Sequence, residues 1–392
     1  MSSPRPVLAA ARRTVFGKSR GGLSGIRPDD LLGLTIAELV GAIPSLDQAT
    51  IDDVIMGDAN GAGEDNRNVA RMSALLAGLP VTVPGMTINR LCGSGAEALI
   101  QAFRAVRAGD MTTVIAGGVE SMSRAPFVLP KSDKPLDAST KLEQTTVGWR
   151  MINPAFPAHW TDSLGVCAQR SADARGITRT EMDEWAVRSH ERAAAAWDAG
   201  LHDGFAFAVN GVTRDESIRP DSTMATLGAL PPAFAKDGTV TAGNSSPIND
   251  GAVASLVTTD QIARELGLEP MGTILGSTIV AVEPDDFASA PIPAMRKLLE
   301  RTGHSFADIS RFEINEAFAA MVLTVLHDLP EIPRDRVNPD GGAIAMGHPI
   351  GASAARAVID TVRGLQRTGG GLGIATACIG VGLGVAVLVE VS

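Results

Sequence analysis

Apolar residues fall along this chain in two rhythms. Short unbroken runs at Val7 to Ala11, Val54 to Met56, Val114 to Gly117, Phe312 to Ile314 and Ile374 to Ala377 predict buried β-strands. Helical patterns long enough for parallel crossovers separate several of them, which places the chain in the α/β class. The middle is different. From about Glu120 to Asn244 it is richer in Pro, charge and Trp, with one clear helix, "TRTEMDEWAVRSHERAAAAWDAG", capped by Thr178 or Thr180 and closed by Gly200. This stretch reads as an insertion carried by the first half.

Laying the two ends of the chain over each other exposes a repeat. "CGSGAEALIQAFRAVRAGDMTTVIAGG" from Cys92 matches "HPIGASAARAVIDTVRGLQRTGGGLGIATAC" from His348, each with a Gly three residues on (Gly95, Gly351) and then an Ala (Ala96, Ala352). A helix follows, apolar at Leu99, Ala102, Phe103 and Val106 in one copy and at Ala355, Val358, Ile359 and Val362 in the other. A buried strand closes each unit, the second copy being longer by its glycines around Gly369 to Gly371. If the halves pack about a local twofold, Cys92 and His348 meet at matching helix N-termini.

Composition narrows the function classes. A chain of 392 residues, 45% hydrophobic, can bury a large core and form two or three domains. No run approaches the roughly 20 apolar residues of a membrane span, and the start reads as strand and basic loop ("GKSRGG") rather than as signal or transit peptide. The expected location is the cytoplasm. A net charge of -10 excludes general nucleic-acid binding and points to small-molecule partners. Cys92, Cys167 and Cys378 are too scattered for a disulfide framework and lack zinc-ligand spacing, so no metal is expected. With no tyrosine in the chain, proton transfer falls to His, Cys, Asp, Glu or Lys.

Cys92 is either a small buried hydrophobe or a reagent. At a helix N-terminus its thiol is expected to have a depressed pKa and to be enriched in thiolate. Gly93 and Gly95 clear space for a substrate, and its repeat mate is a histidine, the usual base for a cysteine. His348 sits in a glycine-lined loop; His159, His190, His202, His304 and His327 read as structural or exposed. Cys378 ends the strand after the His348 helix, which brings a second thiol to the same sheet edge. The following Gly380, Gly382 and Gly384 imitate a dinucleotide loop, but no helix can follow. They suit backbone N–H donors for an oxyanion better. "FEINEAFAA" adds Asn315 and Glu316 at a strand-to-helix junction, where Asn is as ordinary as a helix cap as it is in catalysis.

"NRLCGSG", "NEAFA", "GGAIAMGHPIGAS" and "CIGVGLG" resemble the four signature blocks of the thiolase family, in order and spacing, and the similarity runs from "AARRT" to "AVLVE". The resemblance implies a five-layered α-β-α-β-α sandwich of two similar halves with an inserted loop domain, assembled as a homodimer or homotetramer. Residues 1–120 and 247–272 would form the N-terminal half, 121–246 the loop domain and 273–392 the C-terminal half. By the same resemblance Cys92 is the nucleophile, His348 its activating base and Cys378 the second acid/base. Asn315 would hold a water for one oxyanion hole with His348, and the N–H groups of Cys92 and Gly380 would form the other. The implied reaction is CoA-dependent cleavage of a 3-ketoacyl-CoA through an acyl-Cys92 intermediate, or the reverse condensation. Coenzyme A and acyl-CoA enter as substrates, with no permanently bound cofactor.

"ESIRPDSTMATLGALPPAF" resembles the stretch lining the nucleotide of CoA, which puts Arg219, Thr226 and Phe234 near it, and "TAGNSSPINDGA" matches the pantetheine block, with Ser246 in the contacting position. Pro247, Val381, Leu383, "ASAPIP" and the "CAQR" of an altered loop around Leu164 to Arg170 depart from the family pattern. These departures bear on acyl-chain specificity. "GAGEDNRNVARMSALLAGLP" and "TTVGWRMINP" are closer to the branch that cleaves 3-oxoadipyl-CoA in aromatic catabolism than to acetoacetyl-CoA thiolases. Competing readings are a decarboxylating ketosynthase, which Cys378 and the insertion oppose, and a non-catalytic CoA-binding protein.

Overall fold

The apolar runs become strands with both faces covered, as a layered α/β fold requires. The computed structural model describes residues 5–132, 134–135 and 140–392. The first half runs β1 (Pro6–Thr14), β2 (Gly17–Lys18), α1 (Pro28–Gly41), β3 (Asp53–Gly57), α2 (Val69–Leu76), β4 (Gly85–Ile88), α3 (Ser94–Ala108) and β5 (Thr113–Ser121). The next stretch holds β6 (Phe127–Val128), β7 (Glu143–Gln144), α4 (Leu164–Arg175), α5 (Arg179–Asp198), β8 (Ala206–Phe207) and α6 (Met224–Gly228). Then β9 (Asn249–Thr259) and α7 (Asp260–Glu265) return to the first half. The second half comprises β10 (Thr273–Ala281), α8 (Pro291–Thr302), β11 (Ile309–Ile314), α9 (Ala319–Asp328), α10 (Ala343–Met346), α11 (Ile350–Arg367), β12 (Gly371–Ile379) and β13 (Leu383–Val391).

A seven-stranded sheet has the order β4-β3-β5-β9-β1-β8, with β2 beside β9, and a four-stranded sheet has the order β10-β13-β12-β11. The run β3-β5-β9-β1 in the first corresponds to β11-β12-β13-β10 in the second. In each, the first pair is parallel and the next two are antiparallel. Even β4, parallel to β3, has a remnant in the second half, a lone parallel bridge between Phe312 and Val337. The repeat seen at Cys92 and His348 therefore extends to whole sheets.

The helices of the repeat lie between the sheets. Leu99, Phe103 and Val106 of α3 and Val358, Ile359 and Val362 of α11 share one buried cluster with Val253 and Val257 of β9 and Ala375 and Val385 of the second sheet. Each such aliphatic side chain contributes roughly 1.5–3 kcal/mol by leaving water. Leu31 and Ile36 of α1 and Val69 of α2 cover the outer face of the first sheet. Leu298 of α8 and Met321 and Val325 of α9 cover that of the second. These are the five layers the sequence implied.

The helix N-termini can meet because of two glycines. A Cβ on Gly95 would fall 2.7 Å from Gly351 O, and one on Gly351 would fall 2.2 Å from Val119 O at the end of β5.

In the inserted stretch Thr178, rather than Thr180, caps α5 through a capping box with Glu181, and Gly200 takes φ +69° just past the helix. One expectation is corrected. Leu164 to Arg170, read as a loop, opens α4, whose first turn is capped by Ser163 accepting from Val166 N. The helix was hidden because it packs through small residues, Cys167, Ala168 and Ala172, against the α9 layer. The insertion is stitched to the first sheet by β8, parallel to β1, and by a buried Arg13–Asp215 pair at 2.7 Å. Among the described residues no helix is long and apolar enough to cross a membrane, and no three His, Cys, Asp or Glu gather as metal ligands would.

Candidate active site

Cys92 is presented by a strained turn. After β4 ends at Ile88, Leu91 is held at φ +47°, and a single 3₁₀ turn, Leu91–Gly93, places Cys92 directly ahead of α3. Side-chain bonds fix this turn. Asn89 Oδ1 accepts from Leu91 N at 2.9 Å, while Ser94 Oγ accepts from Arg90 N at 2.8 Å and donates to Leu91 O at 2.7 Å. The end of β12 faces it. A Cβ on Gly93 would fall 2.5 Å from Ile379 Cδ1, so with glycine here the turn seats closely against the strand that carries Cys378. Beyond that strand the Gly380 N–H, like that of Cys92 itself, is directed at the Cys92 sulfur.

His348 is fixed from both sides. Its N–H donates to Asn249 Oδ1 at 3.0 Å, and Gly347 takes φ +111° where a Cβ would lie 2.6 Å from the Asn249 side chain. His348 Nδ1 is 2.7 Å from Ser353 Oγ, and the Ser353 hydroxyl donates to Pro349 O at 2.8 Å. With that hydrogen committed, Ser353 Oγ accepts from Nδ1–H, which assigns the tautomer and leaves Nε2 with a free lone pair. Asn315 Nδ2 lies 3.5 Å from Nε2, and Asn315 Oδ1 is buried with no hydrogen-bond partner among the described residues. Asn315 does not cap α9; Phe318 holds that position, and Asn315 N donates to Thr376 O at 2.9 Å.

Electrostatics overturn the expected thiolate. Burial pushes the Cys92 thiol up to about 11, outweighing the Gly380 and Cys92 N–H groups that favour the anion. Burial, and then the Arg356 charge, take His348 down to about 4, while burial and the neighbouring Cys92 raise Cys378. At rest the Cys92 thiol and the His348 imidazole are both held in their uncharged forms, and His348 Nε2 keeps a lone pair that can accept a proton. Cys167, buried in the first turn of α4 with its sulfur toward Asp162 O, is no part of it.

Three nearby carboxyl groups escaped the sequence reading. Glu120 Oε2 accepts from Ala59 N at 3.0 Å and from Gly351 N at 2.9 Å, tying the N-terminus of α11 to the first half. Burial, then the neighbouring Asp58, raise its pKa, and Asp58 itself is held up to about 7 by burial and Asp65. Ser353 also went unremarked, although it stands in the quoted block five positions beyond His348. Glu316 is a brace: it accepts from Trp185 Nε1, Ser189 Oγ, Asn338 Nδ2 and Ile344 N, joining α5 to the turn that leads to His348.

Cys92 and Gly380 line a cleft of about 380 Å³ whose other walls include residues 145–150, Leu164, Ile350 and Val381. His348, Asn315 and Cys378 are buried within two residues of, or in contact with, groups already placed at this centre. The residues expected around CoA lie outside the lining of this cleft. Ser246 N donates to Ala317 O at 3.0 Å, and the Phe234 ring meets Phe318 edge-on at 5.7 Å, so both adjoin the loop after Asn315. Arg219 is exposed, its N–H donating to His190 Nδ1 at 3.1 Å, and Thr226 closes the cap of α6. None of the four lines the cleft around Cys92.

Two matching halves pack the turn that carries Cys92 against the helix that follows His348 and the strand that carries Cys378, and the fold they build is that of an acyl-transfer enzyme. The chain belongs to the thiolase family: residues 6–261 match the thiolase N-terminal domain and residues 268–391 the thiolase C-terminal domain. It is 46% identical over 390 residues to the beta-ketoadipyl-CoA thiolase of Pseudomonas knackmussii, covering 97% of each chain. It is 45% identical to the 3-oxoadipyl-CoA/3-oxo-5,6-dehydrosuberyl-CoA thiolase of Escherichia coli, covering 96% of this chain and 97% of that one. The acetyl-CoA acetyltransferase of Chromobacterium violaceum is 40% identical, covering 98% of both. Human mitochondrial 3-ketoacyl-CoA thiolase in complex with CoA superposes with a TM-score of 0.92 at 32% identity, covering 99% of this chain and 98% of that one.

Proposed function

We propose that this thiolase cleaves 3-oxoadipyl-CoA with coenzyme A, releasing acetyl-CoA and succinyl-CoA. What supports the substrate is the gradient of similarity: relatives named for beta-ketoadipyl-CoA reach 46% identity and the acetyl-CoA acetyltransferase 40%. In this reading Cys92 loses its proton to His348 Nε2 as sulfur attacks the 3-keto carbon. The tetrahedral alkoxide is received by the N–H groups of Cys92 and Gly380. When the carbon–carbon bond breaks, the imidazolium Nε2–H and a water held by Asn315 receive the enolate oxygen, and Cys378 protonates the enolate carbon. CoA thiol then takes the acyl group from Cys92, its proton restoring Cys378, while the departing Cys92 thiolate recovers the proton held on His348 Nε2. A neutral resting pair suits this sequence, because charge appears only as the substrate reacts.

CoA and its thioesters serve as substrates in this proposal, with no resident cofactor, and Arg219, Ser246, Phe234 and Thr226 contribute to holding them. The same proposal places a homo-oligomer in the cytoplasm; exposed Phe127, Leu129, Leu142 and Phe156 in the insertion favour self-association. The test is thiolysis of 3-oxoadipyl-CoA, acetoacetyl-CoA and longer 3-ketoacyl-CoAs, following acetyl-CoA, together with mass spectrometry of the CoA-free enzyme for an adduct on Cys92. A kcat/KM at least about tenfold higher for 3-oxoadipyl-CoA is expected. Preference for acetoacetyl-CoA would overturn the substrate, and turnover without a Cys92 adduct would overturn the mechanism.

A further inference from the structure

The cleft above Cys92 is apolar at Leu91, Val147, Trp149, Leu164, Ile350 and Val381, yet Arg150 also lines it, the one cationic side chain among the described lining residues. Arg150 is half-buried and, among the described residues, makes no hydrogen bond or ion pair. Other half-buried arginines are engaged, Arg175 with Asp328 at 2.6 Å, Arg179 with Asp183 at 2.7 Å and Arg188 with the backbone carbonyl of Arg334 at 2.6 Å. The segment carrying Arg150 is anchored at its root. Buried Thr145 donates through Oγ1 to Pro126 O at 2.7 Å and accepts from Asn60 Nδ2 at 3.0 Å. Glu120, the acid in the same cleft, is engaged by Ala59 N and Gly351 N. Burial, then the neighbouring Asp58, raise its pKa well above the ordinary carboxylate range. A guanidinium left unpaired in an apolar cleft favours an anion arriving with the substrate, and its planar fork suits a carboxylate.

We propose that Arg150 receives the terminal carboxylate of a dicarboxylic acyl chain and thereby selects 3-oxoacyl-CoAs that end in a carboxylate over those that end in a methyl group. The proposal rests on the 3-oxoadipyl reading for its natural substrate. In 3-oxoadipyl-CoA the carboxyl carbon lies only three carbon–carbon bonds from the carbon that Cys92 attacks, so both ends of the chain belong in this one cleft.

The experiment compares wild type, Arg150→Gln and Arg150→Lys in two assays. The first is thiolysis of 3-oxoadipyl-CoA against 3-oxohexanoyl-CoA, which has the same carbon count and no carboxylate. The second is competitive inhibition by succinyl-CoA against butyryl-CoA. Arg150→Gln is expected to lose about 10- to 100-fold in kcat/KM for 3-oxoadipyl-CoA, and as much in succinyl-CoA inhibition, with 3-oxohexanoyl-CoA and butyryl-CoA changed less than about threefold. Arg150→Lys recovers part of the loss. Equal losses for all four thioesters, as a contact to the CoA phosphates or a folding defect would produce, overturn the proposal, and so does no change in any. If wild type prefers 3-oxohexanoyl-CoA but Arg150→Gln still loses succinyl-CoA selectively, the substrate reading fails and the carboxylate contact stands.

Discussion

Replacing Ser353 with Ala tests the tautomer on which the base role proposed for His348 depends. The hydroxyl is fully buried and is the acceptor for His348 Nδ1–H at 2.7 Å. Pro349 O, to which it donates, also accepts from Ala352 N and Ser353 N, so the helix start keeps its bonds without it. Removing the acceptor leaves Nδ1–H buried and unpaired at a cost of about 1–3 kcal/mol. The other tautomer escapes that cost by placing its hydrogen on Nε2, where Asn315 offers a buried oxygen lacking a partner once its amide turns. A shift of that size depletes the form that can accept the Cys92 proton by about 10- to 100-fold. The expected result is a loss of that order in kcat/KM for thiolysis and in acylation of Cys92 by a simple acyl thioester. The melting temperature should fall by only a few degrees, and imidazole ¹⁵N shifts should report the hydrogen on Nε2. Activity within about threefold of wild type, or an Nδ1–H imidazole with activity lost, would refute the reasoning.

Because burial holds the Cys92 thiol up to about 11, iodoacetamide should label it in the substrate-free enzyme about 10²-fold more slowly at neutral pH than a free thiol, the rate climbing tenfold per pH unit toward that value. A plateau near pH 7 would show that the thiolate pre-exists. Cys378→Ser should still accept an acyl group on Cys92 but exchange the alpha protons of acetyl-CoA with deuterated water about 10²- to 10⁴-fold more slowly, measured by NMR; undiminished exchange would move that proton to another group. Val381, β-branched yet held at φ +66° in the hairpin after Cys378, should be strained, and Val381→Gly is expected to raise stability by about 1 kcal/mol in urea unfolding; a destabilised variant would mean that the side chain contributes packing worth more than the strain.

The strands β3, β5, β11 and β12 were legible because each is an apolar run buried on both faces, and burial of that kind leaves its mark on composition. Glycines and a cap box are equally local signals, which is why the Cys92 turn, the His348 loop and α5 could be read directly. α4 was not legible, since its contact face is made of small residues whose partner, α9, lies far along the chain. The protonation of Cys92 was misjudged for a related reason. The N–H groups that favour a thiolate belong to neighbouring residues and to a recognisable motif, whereas the desolvation that defeats them comes from the second half closing over the turn. The acids around Glu120 were missed likewise, because Asp58, Asp65 and Glu120 become one cluster only when β3 and β5 lie side by side.

The equivalence of β3-β5-β9-β1 with β11-β12-β13-β10 bears on how such a centre could arise. Two separate copies of one half, paired about a twofold, would place the same residue in both seats at the helix N-termini, and every change in one seat would be copied into the other. A thiol facing a thiol, or an imidazole facing an imidazole, is all that such a pair can offer. Joining the halves in one chain freed the seats to differ. Cys92 and His348, each followed by its own Gly and Ala at matching distances, are unlike residues in like positions, and the division of labour proposed for them, one group attacking and the other taking its proton, is open to the fused chain and closed to a pair of identical halves.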